Sequence, residues 1–208
     1  MSRAVVDDTE RTDQRVVLVR HAQTAWTLSG QHTGTTDLPL TDEGAHGTRL
    51  LRQRLGRERF ARVFTSPLQR AAETCRIAGF SDVAQIRTDL VEWDYGKYEG
   101  RTTADIRSSD PAWDLWGEGA PDGESPADMT RRVDRVLDEL LDLCASGGDV
   151  LVFGHGHSLT ALTIRWLGLP IENGRHLRLG TGSDSTLGWK RDVRVLETWN
   201  DRHHLEDV

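Results

Sequence analysis

The stretch VVLVRHAQTAW, Val16–Trp26, decides the fold. Four consecutive branched apolar residues, Val16 to Val19, run straight into Arg20 and His21. An apolar run without alternation reads as a strand covered on both faces, which places it in a parallel sheet with helices on each side. A second run, Val150–Phe153, also closes on a histidine, through Gly154-His155. In open α/β sheets the carboxyl ends of the strands face the ligand crevice. His21 and His155 are therefore expected to project into one pocket.

The chain around these runs alternates strands and helices. Thr41-Asp42-Glu43-Gly44 opens a helix to about Leu55, with Thr41 as cap and acids in the first turn. A short strand at Ala61–Phe64 follows. Ser66 is then an N-cap candidate, and Pro67 suits the first position of the helix that carries Arg70, Thr74 and Cys75. A third strand covers Ala84–Ile86. Asp89–Gly100, DLVEWDYGKYEG, reads as a loop, as does the Gly-, Pro- and Trp-rich segment Trp113–Ser125. Ser125-x-x-Asp128 starts a long amphipathic helix with Met129, Val133, Val136, Leu137, Leu140 and Leu141 on one stripe. Gly147-Gly148 ends it. A helix through Leu159–Leu167 follows the fourth strand, and Ser185–Trp189 with Val193–Trp199 forms a hairpin turning at Lys190-Arg191-Asp192. The expectation is an α/β fold of three layers, doubly wound, with a mostly parallel sheet, an antiparallel edge strand and helices on both faces. Residues 1–14 read as a polar, frayed tail, and 15–208 as one domain.

Bulk properties exclude several classes. The chain has 208 residues and a formal net charge of -7, so it lacks the basic surface that nucleic acid or an anionic membrane requires. Arginine far outnumbers lysine, of which there are two, Lys97 and Lys190; genome composition accounts for this without function. No apolar run approaches the roughly 20 residues of a membrane span, and the N-terminus lacks the apolar core of a signal peptide. A soluble cytoplasmic protein is expected. Cys75 and Cys144 sit in apolar helical patterns and read as buried free thiols. No self-complementary stripe sets an oligomeric state.

The loops at the carboxyl edge of the sheet add matching chemistry. Arg70 lies one turn into the helix after the second strand, Glu92 lies in the loop after the third, and Arg20 accompanies His21. Alone, Arg70 reads as a surface helix charge and Glu92 as a loop charge. Together they give two guanidiniums, two imidazoles and a carboxyl. Arginines take phosphate in forked geometry. A neutral imidazole is a competent nucleophile, and a carboxyl of raised pKa can serve as general acid.

Arg20-His21-Ala22-Gln23-Thr24 resembles the RHG motif of the histidine phosphatase superfamily, with its phosphoglycerate mutase-like fold. Further segments are similar in the family's order: Ser29–Gly34 with Leu38–Gly44, then Thr65-Ser66-Pro67-Leu68-Gln69-Arg70-Ala71. The acid loop Leu90–Gly96 with Tyr98-Glu99-Gly100 comes next, followed by Gly123-Glu124-Ser125 and Gly154-His155-Gly156-His157. The resemblance implies that His21 attacks phosphorus and becomes phosphohistidine. Arg20, Arg70 and His155 hold the phosphoryl oxygens, and Glu92 protonates the leaving oxygen and then activates water. It further implies that Gly156 brings an N–H to the phosphate, and that Thr33, Gly34 and Tyr95 line the substrate side, with no cofactor and no metal. Three positions depart from the pattern: Ala22 stands in place of Gly, Gln23 in place of Glu, and Thr27 where many members have a phosphate-contacting Asn. Thr27 is kept as a candidate contact through its hydroxyl.

Mutases of this family carry a longer insertion between acid loop and second histidine. Here Glu92 and His155 are 63 positions apart, and the chain ends soon after the hairpin. An open pocket admits water, so a phosphatase acting on a small phosphorylated metabolite (a sugar phosphate, or a broad acid phosphatase range) is expected. The alternatives are a phosphoglycerate mutase-type transferase and an inactive adaptor. The segment Ser108–Ser125 is expected to form a lid, in which Trp113 and Trp116 either wall the substrate or pack on the core. His157 either touches substrate or orients His155. H-x-H spacing with His203-His204 hints at a metal, but no carboxylate or Cys stands nearby at ligand spacing, and His203-His204 reads as a surface tail. Neutral His21 with protonated Glu92 predicts a bell-shaped pH profile centred on the acid side of neutrality.

Overall fold

The computed structural model describes residues 14–205. The expected polar tail at 1–14 therefore lies almost wholly outside the described residues. The six strands are β1 (Val16–Arg20), β2 (Arg62–Thr65), β3 (Ala84–Ile86), β4 (Val150–Gly154), β5 (Asp184–Lys190) and β6 (Val193–Asp201). They form one sheet in the order β3-β2-β4-β1-β5-β6. The first four strands are mutually parallel, and β5 and β6 add antiparallel to the β1 side. This is the expected class, antiparallel edge included.

The uninterrupted apolar run of β1 is explained by its two faces. Val16 and Leu18 join Val150, Val152 and Phe64 in one buried cluster, while Val17 and Val19 join Leu151, Phe153 and Val63 in another. Helices α2 (Asp42–Leu55) and α3 (Gln69–Ile77) cover the second cluster with Leu51, Leu55, Cys75 and Ala78. The first is covered by α6 (Pro126–Ala145) and α7 (Gly156–Trp166), through Met129, Val133, Leu140, Leu159 and Leu162. Each fully buried Val or Leu contributes about 1.5–3 kcal/mol through area removed from water, so strands of this composition are stable only where both faces are covered. Both cysteines are free and buried.

Local signals set most boundaries. Thr41 caps α2 by accepting from Gly44 N at 3.0 Å. Ser125 and Asp128 form a reciprocal capping box at the start of α6, and Gly147, at φ 91°, follows its end. Three short helices were not anticipated: α1 (Ala25–Ser29), α4 (Thr103–Ser109) and α5 (Leu115–Glu118). Each is too short to show an apolar period, although α1 and α4 carry capping boxes. The start of α3 also differs from expectation. Its N-cap position is Leu68, not Ser66, and the helix begins at Gln69 rather than Pro67. Asp37 supplies the cap from a distant loop by accepting from Gln69 N at 2.8 Å. The last helix begins earlier than expected, at Gly156, with His155 itself in the N-cap position.

In the register, β1 and β4 are neighbours, with Arg20 opposite Gly154. Their carboxyl ends therefore deliver Arg20-His21 and His155 side by side.

Candidate active site

His21 leaves β1 with its backbone N–H on Gly154 O at 2.9 Å, and it is 3% exposed. Its Nδ1 lies 2.8 Å from Ala22 O. A carbonyl only accepts, so Nδ1 carries the proton and Nε2 keeps its lone pair. Burial pushes the imidazole pKa well below its ordinary value, and the guanidiniums of Arg20 and Arg70 push the same way. The shift favours the neutral ring, the form in which an imidazole can act as a nucleophile. Ala22 N donates to Thr74 Oγ1 at 3.1 Å, so α3 fixes the turn after the strand.

Arg70 is entirely buried. Its Nε donates to His155 Nδ1 at 3.1 Å, Nη1 to Thr36 O at 2.9 Å, and Nη2 to Thr33 O and Gly34 O, both at 3.0 Å. Arg20 donates through Nη1 to Leu179 O, while its buried Nε has no partner among the described residues. Gly156 lets this guanidinium approach, because a Cβ there would sit 3.2 Å from Arg20 Cζ. Neither arginine is paired with a carboxylate among the described residues. Desolvation lowers both pKa values, which leaves two cations packed against carbonyls and an imidazole.

His155 lies 5.1 Å from His21, ring centre to ring centre. Its Nδ1 accepts from Arg70, so in the neutral ring Nε2 carries the proton and donates to Ser66 Oγ at 2.7 Å. Burial, then His21 and Arg70, hold it well below the ordinary imidazole pKa. Both ring nitrogens are engaged with protein, so in this structure His155 orients Arg70. Ser66, read from the sequence as a helix cap, is the anchor of that imidazole.

Glu92 corrects one expectation. Its carboxylate accepts from Trp93 N at 2.9 Å, His157 N at 3.0 Å and Ser158 N at 2.9 Å, which caps α7. Burial raises its pKa, but the neighbouring His157 and the three amides outweigh burial and hold it below the ordinary carboxyl value. The sequence reading asked for a raised pKa, which considers burial alone; the amides reverse the sign. Arg132 of α6 braces this loop from behind. It pairs with Glu124 at 2.7 Å and donates to the carbonyls of Asp89, Val91 and Glu92.

The candidate substrate contacts divide. His157 and Tyr95 stand together, with Tyr95 Oη 2.5 Å from His157 Nδ1, and His157 Nδ1 is 4.0 Å from Glu92. A cavity of about 510 Å³ opens beside them, lined by His32, Trp113, Trp116, His157, Arg175 and Asp114. His32, half-buried beside His157, has its pKa pushed down to about 4, first by desolvation and then by His157. Thr33 and Gly34 serve Arg70 through their carbonyls; the Thr33 hydroxyl donates to Gln31 O. Thr27 lies in the capping box of α1, its hydroxyl donating to Thr24 O at 2.8 Å. The proton that a phosphate oxygen would accept is already committed there.

Trp113 and Trp116 are 3% and 6% exposed members of the main core. Trp113 Nε1 donates to Gly119 O at 2.9 Å, and Trp116 packs edge-on against Trp93. They pack on the core and border the cavity only at their rims. His204 is no surface residue: its side chain is 7% exposed and 4.0 Å from Asp184. Among the described residues no group of three or more His, Cys, Asp or Glu is arranged to hold a metal, and no helix is long and apolar enough to cross a membrane.

Sequence reasoning missed Asp37, Ser66 as an imidazole partner, Thr74 and Glu99. Each acts on a residue distant along the chain or through a backbone group, which leaves no local pattern.

Comparison with known proteins agrees with this geometry. A family model described as histidine phosphatase superfamily, branch 1, matches residues 16–202. A Mycobacterium tuberculosis protein named acid phosphatase is 39% identical over 186 residues, covering 88% of this chain and 91% of that protein. Sedoheptulose 1,7-bisphosphatase of Saccharomyces cerevisiae is 35% identical over 187 residues, covering 76% of this chain and 69% of the yeast protein. The solved structure of an open reading frame product from Mycobacterium tuberculosis superposes with a TM-score of 0.87 at 38% identity, covering 90% of this chain and 97% of that one. With both guanidiniums, both imidazoles and the carboxyl gathered at one sheet edge, this chain belongs to the histidine phosphatase superfamily, branch 1, and is a phosphatase.

Proposed function

We propose that this phosphatase hydrolyses monoesters of small phosphorylated metabolites, sugar phosphates among them, without a metal and through a phosphohistidine on His21. The observation that carries the reading is the fixed tautomer of His21. Its Nδ1 proton is held by Ala22 O, which leaves the Nε2 lone pair for attack, and the nearby charges of Arg20 and Arg70 are paired with no carboxylate among the described residues. Nε2 attacks phosphorus in line. A P–N bond forms while the bond to the leaving oxygen breaks, and that oxygen takes the Glu92 proton. Glu92 then removes a proton from water as the water oxygen attacks phosphorus and the P–N bond breaks. Inorganic phosphate and neutral His21 result. Arg20 and Arg70 stabilise the charge on the transferring group in both steps.

The lowered pKa favours ionised Glu92 before substrate binds. A phosphoryl dianion arriving beside it raises its proton affinity by like-charge repulsion. The acid is thus created by substrate binding. The names of two relatives, an acid phosphatase and a sugar bisphosphatase, support the substrate class.

The test is hydrolysis of p-nitrophenyl phosphate with excess EDTA by the wild type and His21→Ala, followed by a panel of phosphorylated metabolites. Turnover should resist EDTA and fall by about 10³-fold or more in the variant, as for loss of a covalent nucleophile. EDTA sensitivity, or activity retained by His21→Ala, would refute the reading.

A further inference from the structure

Glu99 touches neither His21 nor Glu92, and nothing in the reaction above uses it. Both of its carboxylate oxygens nevertheless point into the loop that holds Arg70. Oε1 and Oε2 accept from Gly34 N at 3.0 and 2.9 Å, and Oε1 also accepts from Thr36 N at 3.0 Å. The same short loop turns its carbonyls the other way. Those of Thr33, Gly34 and Thr36 accept from the Arg70 guanidinium at 2.9–3.0 Å. One side of the loop is thus held by a carboxylate and the other by a buried cation.

Further contacts tie the loop down. Asp37, one residue beyond it, caps the helix that carries Arg70. At Gly34 an added Cβ would lie 2.5 Å from Trp93 O and 2.8 Å from Glu99 Oε2. The strand-like stretch before it is fixed as well, since His32 N donates to Arg101 O and Gly100 N to His32 O, both at 2.9 Å. The loop has no room to slide, and Glu99 supplies the charge that orients its peptide planes.

We propose that Glu99 is a positioning residue of the phosphoryl site. By holding the amides of Gly34 and Thr36, it sets the carbonyl cage that aims the Arg70 guanidinium. Without it, the Gly34 and Thr36 amides lose their acceptor: the Thr33–Gly34 peptide, whose carbonyl is one of the three, is free to rotate, and the Gly34 and Thr36 carbonyls lose the held amides beside them. The three carbonyls then no longer converge, and Arg70 loses the orientation that aims its one uncommitted N–H, on Nη1, and its charge at the phosphoryl group. The inference rests on Arg70 binding the phosphoryl group.

Inorganic phosphate, titrated calorimetrically, reads the cage without requiring turnover. Wild type, Glu99→Ala, Glu99→Gln, Arg70→Lys and the double variant Arg70→Lys/Glu99→Ala are compared, with thermal melts to establish folding. Removing a charge-assisted acceptor of two amides is expected to weaken phosphate binding about tenfold or more in Glu99→Ala. Glu99→Gln, which keeps one acceptor oxygen, should fall between it and the wild type. Lysine lacks the planar guanidinium that the carbonyl cage grips, so in the Arg70→Lys background loss of Glu99 should cost less than about twofold. An unchanged affinity in Glu99→Ala, or the same loss in both backgrounds, would overturn the proposal. If Glu99→Ala does not fold, Glu99→Gln decides on the same terms. A wild type that binds no phosphate removes the phosphoryl site, and the role of Glu99 with it. Phosphate binding that persists unaltered in Glu99→Ala removes only Glu99.

Discussion

Two clusters of charge, one at the carboxyl ends of β1 and β4 and one beside β5 and β6, are treated oppositely. At the ends of β1 and β4, Arg20 and Arg70 are held by carbonyls and an imidazole, with no carboxylate paired to either among the described residues. Glu92 is close, yet its oxygens are given to amides. Along β5 and β6, Arg54 reaches Asp184 at 3.1 Å and Asp201 at 2.7 Å, so the cation meets its counterions within the fold. The second cluster is self-sufficient. The first is a positive site that lacks its own counterion, and desolvated cations of that kind are stabilised by an incoming anion. On the function proposed above, the chemistry is carried where the fold leaves the charge unbalanced.

The largest way to sharpen this contrast is to change the carboxyl in the unbalanced cluster. Glu92→Gln keeps the size and an acceptor oxygen but cannot donate a carboxyl proton. On an alkyl phosphate, kcat/KM should fall about 10²–10⁴-fold, the range of a general acid. On p-nitrophenyl phosphate the formation of phosphohistidine should suffer far less, because nitrophenolate departs without a proton. Equal losses in that step for both substrates would remove Glu92 as the acid. The pH profile follows from two directions. His21 must be neutral and its pKa is lowered, so the limb that rises with pH lies far on the acid side. Glu92 must be protonated and its pKa is also lowered in the free enzyme, so kcat/KM on alkyl phosphates declines as pH rises through that lowered value. Bound dianion raises the Glu92 pKa, and kcat should therefore peak at higher pH than kcat/KM. In Glu92→Gln the declining limb should vanish.

A smaller effect is expected behind the first rank of residues. Ser66→Ala removes the acceptor of His155 Nε2 and leaves a buried donor unpaired. With the ring free to turn, Arg70 loses its Nε partner. A fall of about 5- to 10-fold in kcat/KM is expected, the scale of one buried hydrogen bond. Steady-state kinetics with a melt control would show it; unchanged kinetics would return Ser66 to an ordinary turn residue.

How much of this was legible follows from the range of each interaction. The two apolar strands ending in histidine, the capped helix at Thr41 and the stripe of α6 are written in adjacent residues or in one period, and they appear where the sequence puts them. His21, Arg20, Arg70, His155 and Glu92 are gathered because strand ends share one edge, which topology alone enforces. The protonation of Glu92 was not legible, since it depends on the amides of His157 and Ser158, 65 and 66 positions away. Ser66 misled for a related reason. A serine before proline at a helix start has a local use, but tertiary structure gave it His155, and Asp37 took over the cap from 32 positions away. Trp113 and Trp116 were undecided in sequence because an aromatic pair at that spacing serves a core or a wall equally well, and only the packing of Trp116 against Trp93 separates the two.

The gentlest test concerns the balanced cluster. Asp184 is 3% exposed and faces Arg54 from α2, Asp201 from β6 and His204 from the C-terminal turn, with Glu58 contributing at longer range. Burial raises its pKa from 3.8 to about 6 against the pull of Arg54. A folded pKa above the unfolded one means that the fold favours the protonated form. The stability this group adds is complete below the unfolded value and is lost as pH climbs through about 6. The shift corresponds to an upper bound of about 3 kcal/mol, lessened by the coupling to Arg54 and Asp201. Asp184→Asn should therefore flatten the decline in unfolding free energy between about pH 4 and 6.5, measured by urea denaturation at each pH. Parallel curves for variant and wild type would show that Asp184 does not titrate there. The same variant probes the separation of the clusters. Asp184 follows Gly182 and Ser183, whose backbones hydrogen-bond those of His21 and Arg20. If the balanced cluster only stabilises, kcat/KM at pH 7 stays within about twofold of the wild type, since surface-distant, independent sites add without coupling. A larger loss would mean that this backbone link carries the second cluster's charge state into the first, and the two regions would have to be treated as one electrostatic unit.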